Sequence, residues 1–305
     1  MKSLISKITL ILFVLVQNSC YLKPFVKYSL NKEGFKNFSK KEILAGNNEN
    51  PKRAYKINRY DWALELMPEK EKISGNMKIT FTPSLRQDTF MFDLQKRMKV
   101  ESFTCNMANA TLKHKGDFLY LSFPTDRDFT SRISLTIKYK GKPVKLLGEG
   151  PIQWKKDDKD RHWISSITEG VGPHFMMPCS ILLGKEPDTT SISVTVPSNL
   201  TVTANGQLLG ITEKDNKKTF NHLVTNPINI YNISFNAGHF VKVEKPYIDI
   251  NGIERTIECY VMDYREEIAS EYYNQAPIIM KEFEQLFGEF PWWNDGCRFV
   301  ESTFS

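Results

Sequence analysis

Apolar and polar side chains alternate along the chain between about residues 57 and 240. Trp62, Leu64 and Leu66 show this period of two, and Met77, Ile79 and Phe81 repeat it after a turn. Further alternating runs span residues 90–92, 119–123, 133–139, 192–196 and 230–235. Turn signals such as Gly141-Lys142-Pro143 and Asn205-Gly206 separate the runs, and helical periodicity is missing there. The pattern predicts a mainly β fold, with an antiparallel β-sandwich or layered-sheet domain.

The pattern changes after Lys242. A short strand pair is expected around residues 247–249 and 257–262, followed by a helix ending before Gly288. One apolar stripe repeats at three- and four-residue steps along this helix: Ile268, Tyr272, Ala276, Ile279, Phe283 and Leu286. Asp263 is the expected N-cap, Pro277 predicts a kink or a break, and a last strand follows at residues 297–300. This order predicts the opening of a mixed α/β unit, with an open sheet edge and an uncovered helix face.

The first twenty residues have the pattern of an export signal. Lys2 and Lys7 precede an apolar run from Ile8 to Val16, and Ser19 precedes Cys20. The run is far shorter than the roughly 20 residues that cross a bilayer. Cys20 is therefore predicted to carry a lipid that anchors the mature chain to a bacterial membrane, with plain secretion as the alternative. Residues 21–56 read as a basic tether.

Charge and cysteine content narrow the function classes. The formal net charge is +6, but residues 1–56 hold 11 Lys or Arg against 3 Asp or Glu, so the rest is slightly negative. A nucleic-acid-binding protein would concentrate positive charge on its folded domain, so no nucleic-acid partner is expected. The four cysteines after Cys20 lack CxxC spacing and are compatible with zero to two disulfides.

Six stretches, taken in order, carry a family resemblance. They are YDWALEL, SGNMKITF, HWISSITEGVGPHFMMPC, ISVTVPSNLTVTANGQL, NPINIYNISFNAGHF and EFEQLFGEFPWWNDGCRFVES. Together they resemble the N-terminal half of the aminopeptidase N family of zinc metallopeptidases, peptidase family M1. The resemblance implies an N-terminal β domain over residues 57–240 and, over residues 241–305, the first strands and helix of an incomplete thermolysin-like α/β catalytic domain. In that family a Gly-rich amine-binding motif and an HExxH helix follow.

No hydrolytic motif stands in the chain itself. The five histidines are His114, His162, His174, His222 and His239, and no two are four apart with a Glu between them. HExxH zinc sites need that spacing to face two imidazoles toward one ion. The closest grouping is His162 and His174 around Glu169, on predicted strand and loop. We therefore expect no metal or catalytic residue in this chain, and zinc only in a complete family member.

The resemblance assigns a role to one loop, ITEGVGPHFMMPC. In the family this loop reaches the active-site cleft and supplies an acidic or amide side chain that binds the amino group of the peptide, and the matching position is Glu169. Gly170 and Gly172 would let the backbone approach a ligand closely. Without the resemblance, Glu169 reads as a solvated loop residue. Ser180 stands where the family often has an acidic residue, and Trp154 and Trp163 are candidates to line the site.

These observations give two functional hypotheses. In the first, the chain is the N-terminal portion of an exported aminopeptidase that removes N-terminal residues from peptides, and it is inactive alone because it lacks HExxH. In the second, it is a non-catalytic cell-surface β-sandwich lipoprotein that binds peptides or a protein partner. The incomplete α/β unit at the end of the sequence favours the first.

Overall fold

Strands form most of the protein in the computed structural model, which describes residues 46, 49–124, 131–144 and 150–303. The predicted signal, Cys20 and the tether up to residue 45 lie outside the described residues. The strands are β1 (Tyr55–Met67), β2 (Lys72–Pro83), β3 (Thr89–Asp93), β4 (Lys99–Cys105), β5 (Thr111–Lys115), β6 (Phe118–Ser122), β7 (Ile133–Gly141), β8 (Ile152–Lys156), β9 (His162–Ser166), β10 (Thr189–Pro197), β11 (Thr201–Ala204), β12 (Gln207–Lys214), β13 (Lys217–Val224), β14 (Phe235–Gly238), β15 (Phe240–Ile248), β16 (Glu254–Met262) and β17 (Cys297–Val300). The α-helices among these residues are α1 (Glu266–Tyr272) and α2 (Gln275–Phe287).

A seven-stranded sheet in the order β12-β13-β10-β1-β2-β7-β4 is the largest layer. All its neighbouring strands are antiparallel except β1 and β10, which pair in parallel from Arg59 opposite Thr189 onward. Buried and exposed positions alternate along most of β1 and β10, as the period of two requires for a sheet with one face on the core. The mainly β, layered-sheet prediction is confirmed.

The core lies between this sheet and two smaller ones, β11-β14-β9-β8 and β3-β6-β5. One cluster of buried side chains draws on all three sheets, including Trp62 from β1, Phe90 from β3 and Ile164 from β9. The Trp62 indole N–H donates to the Tyr139 hydroxyl at 2.8 Å, so the largest core side chain also satisfies its polar atom. The smaller sheets are therefore held against the large one by a continuous apolar layer.

Two predicted boundaries differ from the structure. The run at residues 230–235 is not one strand, because a 3-10 turn occupies Ile230–Asn232 and β14 begins only at Phe235. The alternation there comes from single buried turn residues, Ile230 and Ile233. At the other end, β1 begins at Tyr55 rather than at residue 57, and it is preceded by the 3-10 turn Pro51–Arg53, in which Arg53 is fully buried.

The C-terminal unit begins as the chain passes from β14 to β15. β15, β16 and β17 form a separate sheet in that order, with β16 and β17 parallel. The predicted helix is interrupted at residues 273–274. Pro277 lies in the first turn of α2, where a backbone N–H has no acceptor within the helix, so the missing N–H of proline costs no hydrogen bond. Gly288 ends α2 with φ +89° as expected, but Asp263 is not an N-cap, because its carboxylate pairs with Arg161.

Apart from Ala276, the residues of the apolar stripe of the helices face outward. The buried positions of α2 are Ala276, Met280 and Glu284, whereas Phe283 is 56% and Leu286 71% exposed. The face of α2 that packs against the sheet of β15, β16 and β17 is thus narrower than the sequence pattern indicated. The outer apolar face comprises Ile268, Tyr272, Ile279, Phe283, Leu286 and Phe287. None of the helices in the described part of the chain is both long and apolar enough to cross a membrane.

Glu284 holds the C-terminal unit together from inside α2. Its carboxylate accepts hydrogen bonds from the Tyr247 hydroxyl at 2.6 Å, the Ile250 N–H at 2.9 Å, the Phe290 N–H at 3.0 Å and the Trp293 indole at 3.2 Å. Burial alone would raise the pKa of Glu284, but these donors outweigh it and hold the pKa below its usual value. The charged carboxylate therefore stabilises the folded state.

We predict that Glu284→Gln destabilises the protein by about 2–3 kcal/mol at pH 7, because an amide cannot accept all four bonds. With the folded pKa lowered, the stabilisation by Glu284 is complete above the unfolded value of about 4.3 and is lost as the pH falls through the folded value. Urea unfolding at pH 7 and at about pH 3 should show a smaller pH dependence for Glu284→Gln than for the parent. Glu282→Gln, on the exposed side of α2, is the control; equal pH dependence in all three proteins would contradict the prediction.

Candidate substrate-binding loop

The loop that carries Glu169 is fixed where it leaves β9. The Ile167 N–H donates to the Pro151 carbonyl at 2.9 Å, and the Thr168 hydroxyl donates to the Tyr231 carbonyl at 2.7 Å. The Gly172 N–H then donates to the Thr168 carbonyl at 2.7 Å and closes a turn around residues 169–171. The turn therefore follows directly after Thr168, whose side chain is almost completely buried.

The other end of the loop is fixed by Asp93, the last residue of β3. The backbones of Asp93 and Cys179 exchange two hydrogen bonds, at 2.7 and 3.0 Å. The Asp93 carboxylate also accepts from the Ile181 N–H at 3.1 Å, and the Ser180 N–H donates to the buried Tyr60 hydroxyl at 3.1 Å. Ser180 is thus fully buried, and its backbone N–H makes the contact with Tyr60.

A buried ion pair holds Asp93 itself. The Arg53 guanidinium donates to both carboxylate oxygens of Asp93, at 2.7 and 2.6 Å, and both side chains are essentially inaccessible to solvent. Burial raises the pKa of the neighbouring Cys179 thiol well above its usual value, which keeps it neutral and unreactive. The cluster is therefore an anchor rather than a reactive centre.

Glu169 and Gly170 lie exposed at the tip of the anchored turn. Gly170 has φ +72° and Gly172 has φ +103°, and a Cβ at Gly172 would come within 2.8 Å of the His174 ring. The turn thus needs glycine at residue 172 for its shape. Across the described residues, the Glu169 carboxylate has no salt bridge and no side-chain hydrogen bond, so it is free to bind a cation.

The segment after β17 runs beside the strand that leads into this loop. The Thr303 N–H donates to the Ser165 hydroxyl at 3.2 Å, and the Lys155 ammonium donates to the Thr303 carbonyl at 2.6 Å. Ser165 stands four residues before Glu169 in the chain. The segment that follows β17 therefore contacts the end of β9, from which the Glu169 loop begins.

Two contacts fix the C-terminal unit against the β domain. Arg161 donates to both oxygens of Asp263, at 2.8 and 2.7 Å, and this hydrogen bonding lowers the pKa of Asp263 to about 2. Asp295 accepts from the N–H and hydroxyl of Thr225 and from the N–H and side-chain amide of Asn226, at 2.6 to 3.1 Å. Arg161 lies directly before β9, and Asp295 lies just before β17. The two contacts therefore hold both strands at the junction between the β domain and the C-terminal unit.

The other candidate residues serve elsewhere. His162 pairs with Glu69 at 2.6 Å, and the His174 ring lies 4.4 Å from that of Phe175. Trp154 packs against the main core, and Trp163 packs beside Phe240, Tyr260 and Met262. In residues 49–124, 131–144 and 150–303, no group of three or more His, Cys, Asp or Glu side chains is arranged to hold a metal ion. The described residues therefore do not fit a zinc ion.

Comparison with solved structures identifies the fold. The chain is similar to an M1 zinc metallopeptidase from Deinococcus radiodurans, with a TM-score of 0.69 and 17% identity, covering 81% of this chain and 56% of that one. A mutant of that enzyme bound to a Tyr-Ser-Ala substrate gives the same values. A two-domain M1 zinc metallopeptidase mutant bound to L-tryptophan gives a TM-score of 0.69 and 16% identity. No family model and no curated protein sequence matches the chain. The chain thus has the fold of the N-terminal half of M1 zinc metallopeptidases and spans little more than half their length.

We predict that Arg53→Met destabilises the protein by about 3–5 kcal/mol, because it leaves the Asp93 carboxylate buried without its cation. Urea unfolding at pH 7 measures the change. Arg59→Met is the matched control, since Arg59 pairs with Asp61 at 2.7 Å near the surface and should contribute no more than about 1 kcal/mol. If both variants lost the same small amount, Asp93 would not be the anchor described here.

Proposed function

We propose that this chain is the N-terminal part of an exported aminopeptidase of the M1 type, in which Glu169 binds the free amino group of a peptide. One observation carries the proposal: an exposed carboxylate with no hydrogen-bond or ion-pair partner among the described residues stands on an anchored turn, in a fold that matches M1 zinc metallopeptidases. Among those proteins, one is described bound to a Tyr-Ser-Ala substrate and another bound to L-tryptophan, so ligands with a free amine are known for the fold.

The chemistry of the turn suits an exopeptidase. Such an enzyme must hold one ammonium group at a fixed distance from the bond that is cleaved. A carboxylate that accepts hydrogen bonds from an ammonium makes a charge-assisted pair, which is stronger than a neutral hydrogen bond. Gly170 adds no side chain beside Glu169, which leaves room for a ligand to approach. The anchors at Thr168 and Asp93 limit the movement of the carboxylate.

Further polypeptide is part of the proposal. The matched structures are longer than this chain, and the outer apolar face of α1 and α2 offers a surface for additional structure. An exposed face made of neighbouring large apolar side chains marks an interaction site. In this proposal, zinc is held by the additional polypeptide, because the described residues provide no site for it.

Export and membrane attachment rest on the sequence pattern. The apolar run and the Ser19-Cys20 pair support signal cleavage and lipidation of Cys20, which would place the protein at a bacterial membrane, in the periplasm or on the cell surface. Peptides outside the cytoplasm are then the substrate class. The binding-module hypothesis remains the alternative outcome of the tests below.

The 305-residue chain alone should bind no stoichiometric zinc and should not hydrolyse an amino-acid anilide. DNA downstream of codon 305, read in all frames, should encode a Gly-rich motif followed by HExxH. Metal analysis, the anilide assay and the DNA sequence are the measurements. Absence of both motifs downstream would favour the binding module, and stoichiometric zinc with turnover by the chain alone would contradict the division of roles.

In the zinc-containing longer polypeptide, Glu169→Gln should lower kcat/KM for an amino-acid anilide at least about tenfold, because a charge-assisted bond is replaced by a neutral one. Glu213→Gln, on the exposed edge strand β12, is the control and should leave kcat/KM unchanged. An N-acetylated anilide lacks the ammonium, so the parent and Glu169→Gln should hydrolyse it equally slowly. Unchanged kcat/KM for the free-amine substrate in Glu169→Gln would remove Glu169 from the proposal.

A further inference from the structure

A cavity opens at the start of β17, whereas the segment after the end of that strand contacts β9, from which the Glu169 loop leaves. Its volume is about 700 Å³, within the range of small-molecule sites, and it is lined by both the β domain and the C-terminal unit. The lining includes amide side chains and aromatic rings, among them Asn229, Asn232, Asn236, Phe290, Trp292 and Phe299. The cavity is therefore separate from the proposed amine site.

The charged groups of this cavity already have partners within the protein. Asp295 accepts four hydrogen bonds from Thr225 and Asn226. Arg298 donates to Glu258 at 2.5 Å and to the carbonyls of Gly206 and Asp295 at 2.5 and 3.0 Å. The four donors occupy the roughly four acceptor sites of the Asp295 carboxylate, and Arg298 is paired with Glu258, so the cavity favours a neutral ligand over an ion.

Amide groups without protein partners remain. Asn229 makes no side-chain cap bond to the turn that follows it. Among the described residues, Asn232 and Asn236 also make no side-chain hydrogen bond, whereas Asn205 and Asn226 are used within the protein. Each free amide offers two donors and one acceptor oxygen. Three of them around one cavity match a ligand whose groups both donate and accept.

Aromatic rings provide the apolar part of the cavity. Trp292 is 50% exposed, and its ring packs edge-on with that of Phe290, with 5.5 Å between the centroids. Phe290 in turn packs edge-on against the buried Trp293 at 5.1 Å, which fixes the group on the C-terminal unit. A supported, half-exposed indole face is a flat apolar platform beside polar amides.

We propose that this cavity binds a neutral carbohydrate of one to three sugar rings. A sugar ring combines hydroxyl groups, which both donate and accept, with an apolar face of C–H bonds that packs on an aromatic ring. The terminus of a peptide would call for an unpartnered charged group, whereas the two charged side chains of the lining, Asp295 and Arg298, already have partners within the protein. The inference is independent of the aminopeptidase proposal, because it uses neither Glu169 nor a metal.

The test is saturation-transfer NMR on the 305-residue chain with maltotriose, chitotriose and lactose as probes. At about 10 mM, a ligand of millimolar affinity would occupy most of the sites. At least one probe should bind, with its ring C–H protons receiving the most saturation. Trp292→Ala and Asn232→Ala should each weaken that binding at least about tenfold, while thermal unfolding stays close to that of the parent.

Tyr272→Ala is the matched control, because Tyr272 is an exposed aromatic residue on α1 outside the cavity. It should leave saccharide binding unchanged. Failure of all three saccharides to bind, or binding that persists in both Trp292→Ala and Asn232→Ala, would overturn the proposal. Binding of triglycine at the same cavity with no saccharide binding would also overturn it and would assign the cavity to peptides.

Discussion

The buried carboxylate of Asp93 is the constraint on which the candidate site depends. It joins three distant parts of the chain: Arg53 before β1, the end of β3, and the segment around Cys179. A carboxylate removed from water is stable only with its cation and hydrogen-bond donors in place. The fold therefore cannot move the segment at residues 179–181 without losing these bonds. The turn that carries Glu169 inherits its position from this junction and from Thr168.

The acidic residues divide into two kinds. Asp93, Asp295 and Glu284 are buried, and each is surrounded by donors from segments far apart in the chain. Their charge is used to hold the structure. Glu169 is exposed and has no such donors within the described residues, so its charge is available to a ligand. The binding role proposed for Glu169 itself rests on the family resemblance.

Strand periodicity made most of the fold predictable, because one face of nearly every strand in the large sheet meets the same core. The packing of the helices was harder to predict, because the most regular apolar stripe of α2 faces outward. The buried face of α2 includes Glu284, which a hydrophobicity pattern does not mark. Arg53 and Asp93 are forty residues apart and carry no motif, so their pairing was not predictable. Glu169 was found through the resemblance, since a single acidic loop residue has no signature of its own. The cavity at β17 is formed by side chains from both the β domain and the C-terminal unit, so the sequence alone could not predict it.

The parallel pairing of β1 with β10 has a consequence for biosynthesis. Strands about 130 residues apart in the chain are neighbours at the centre of the largest sheet. A ribosome must make residues up to about 196 before β1 can gain this neighbour, and contacts so far apart form slowly. During that interval, β1 and β2 expose an apolar face. Closure of the core therefore waits until β10 has been synthesised.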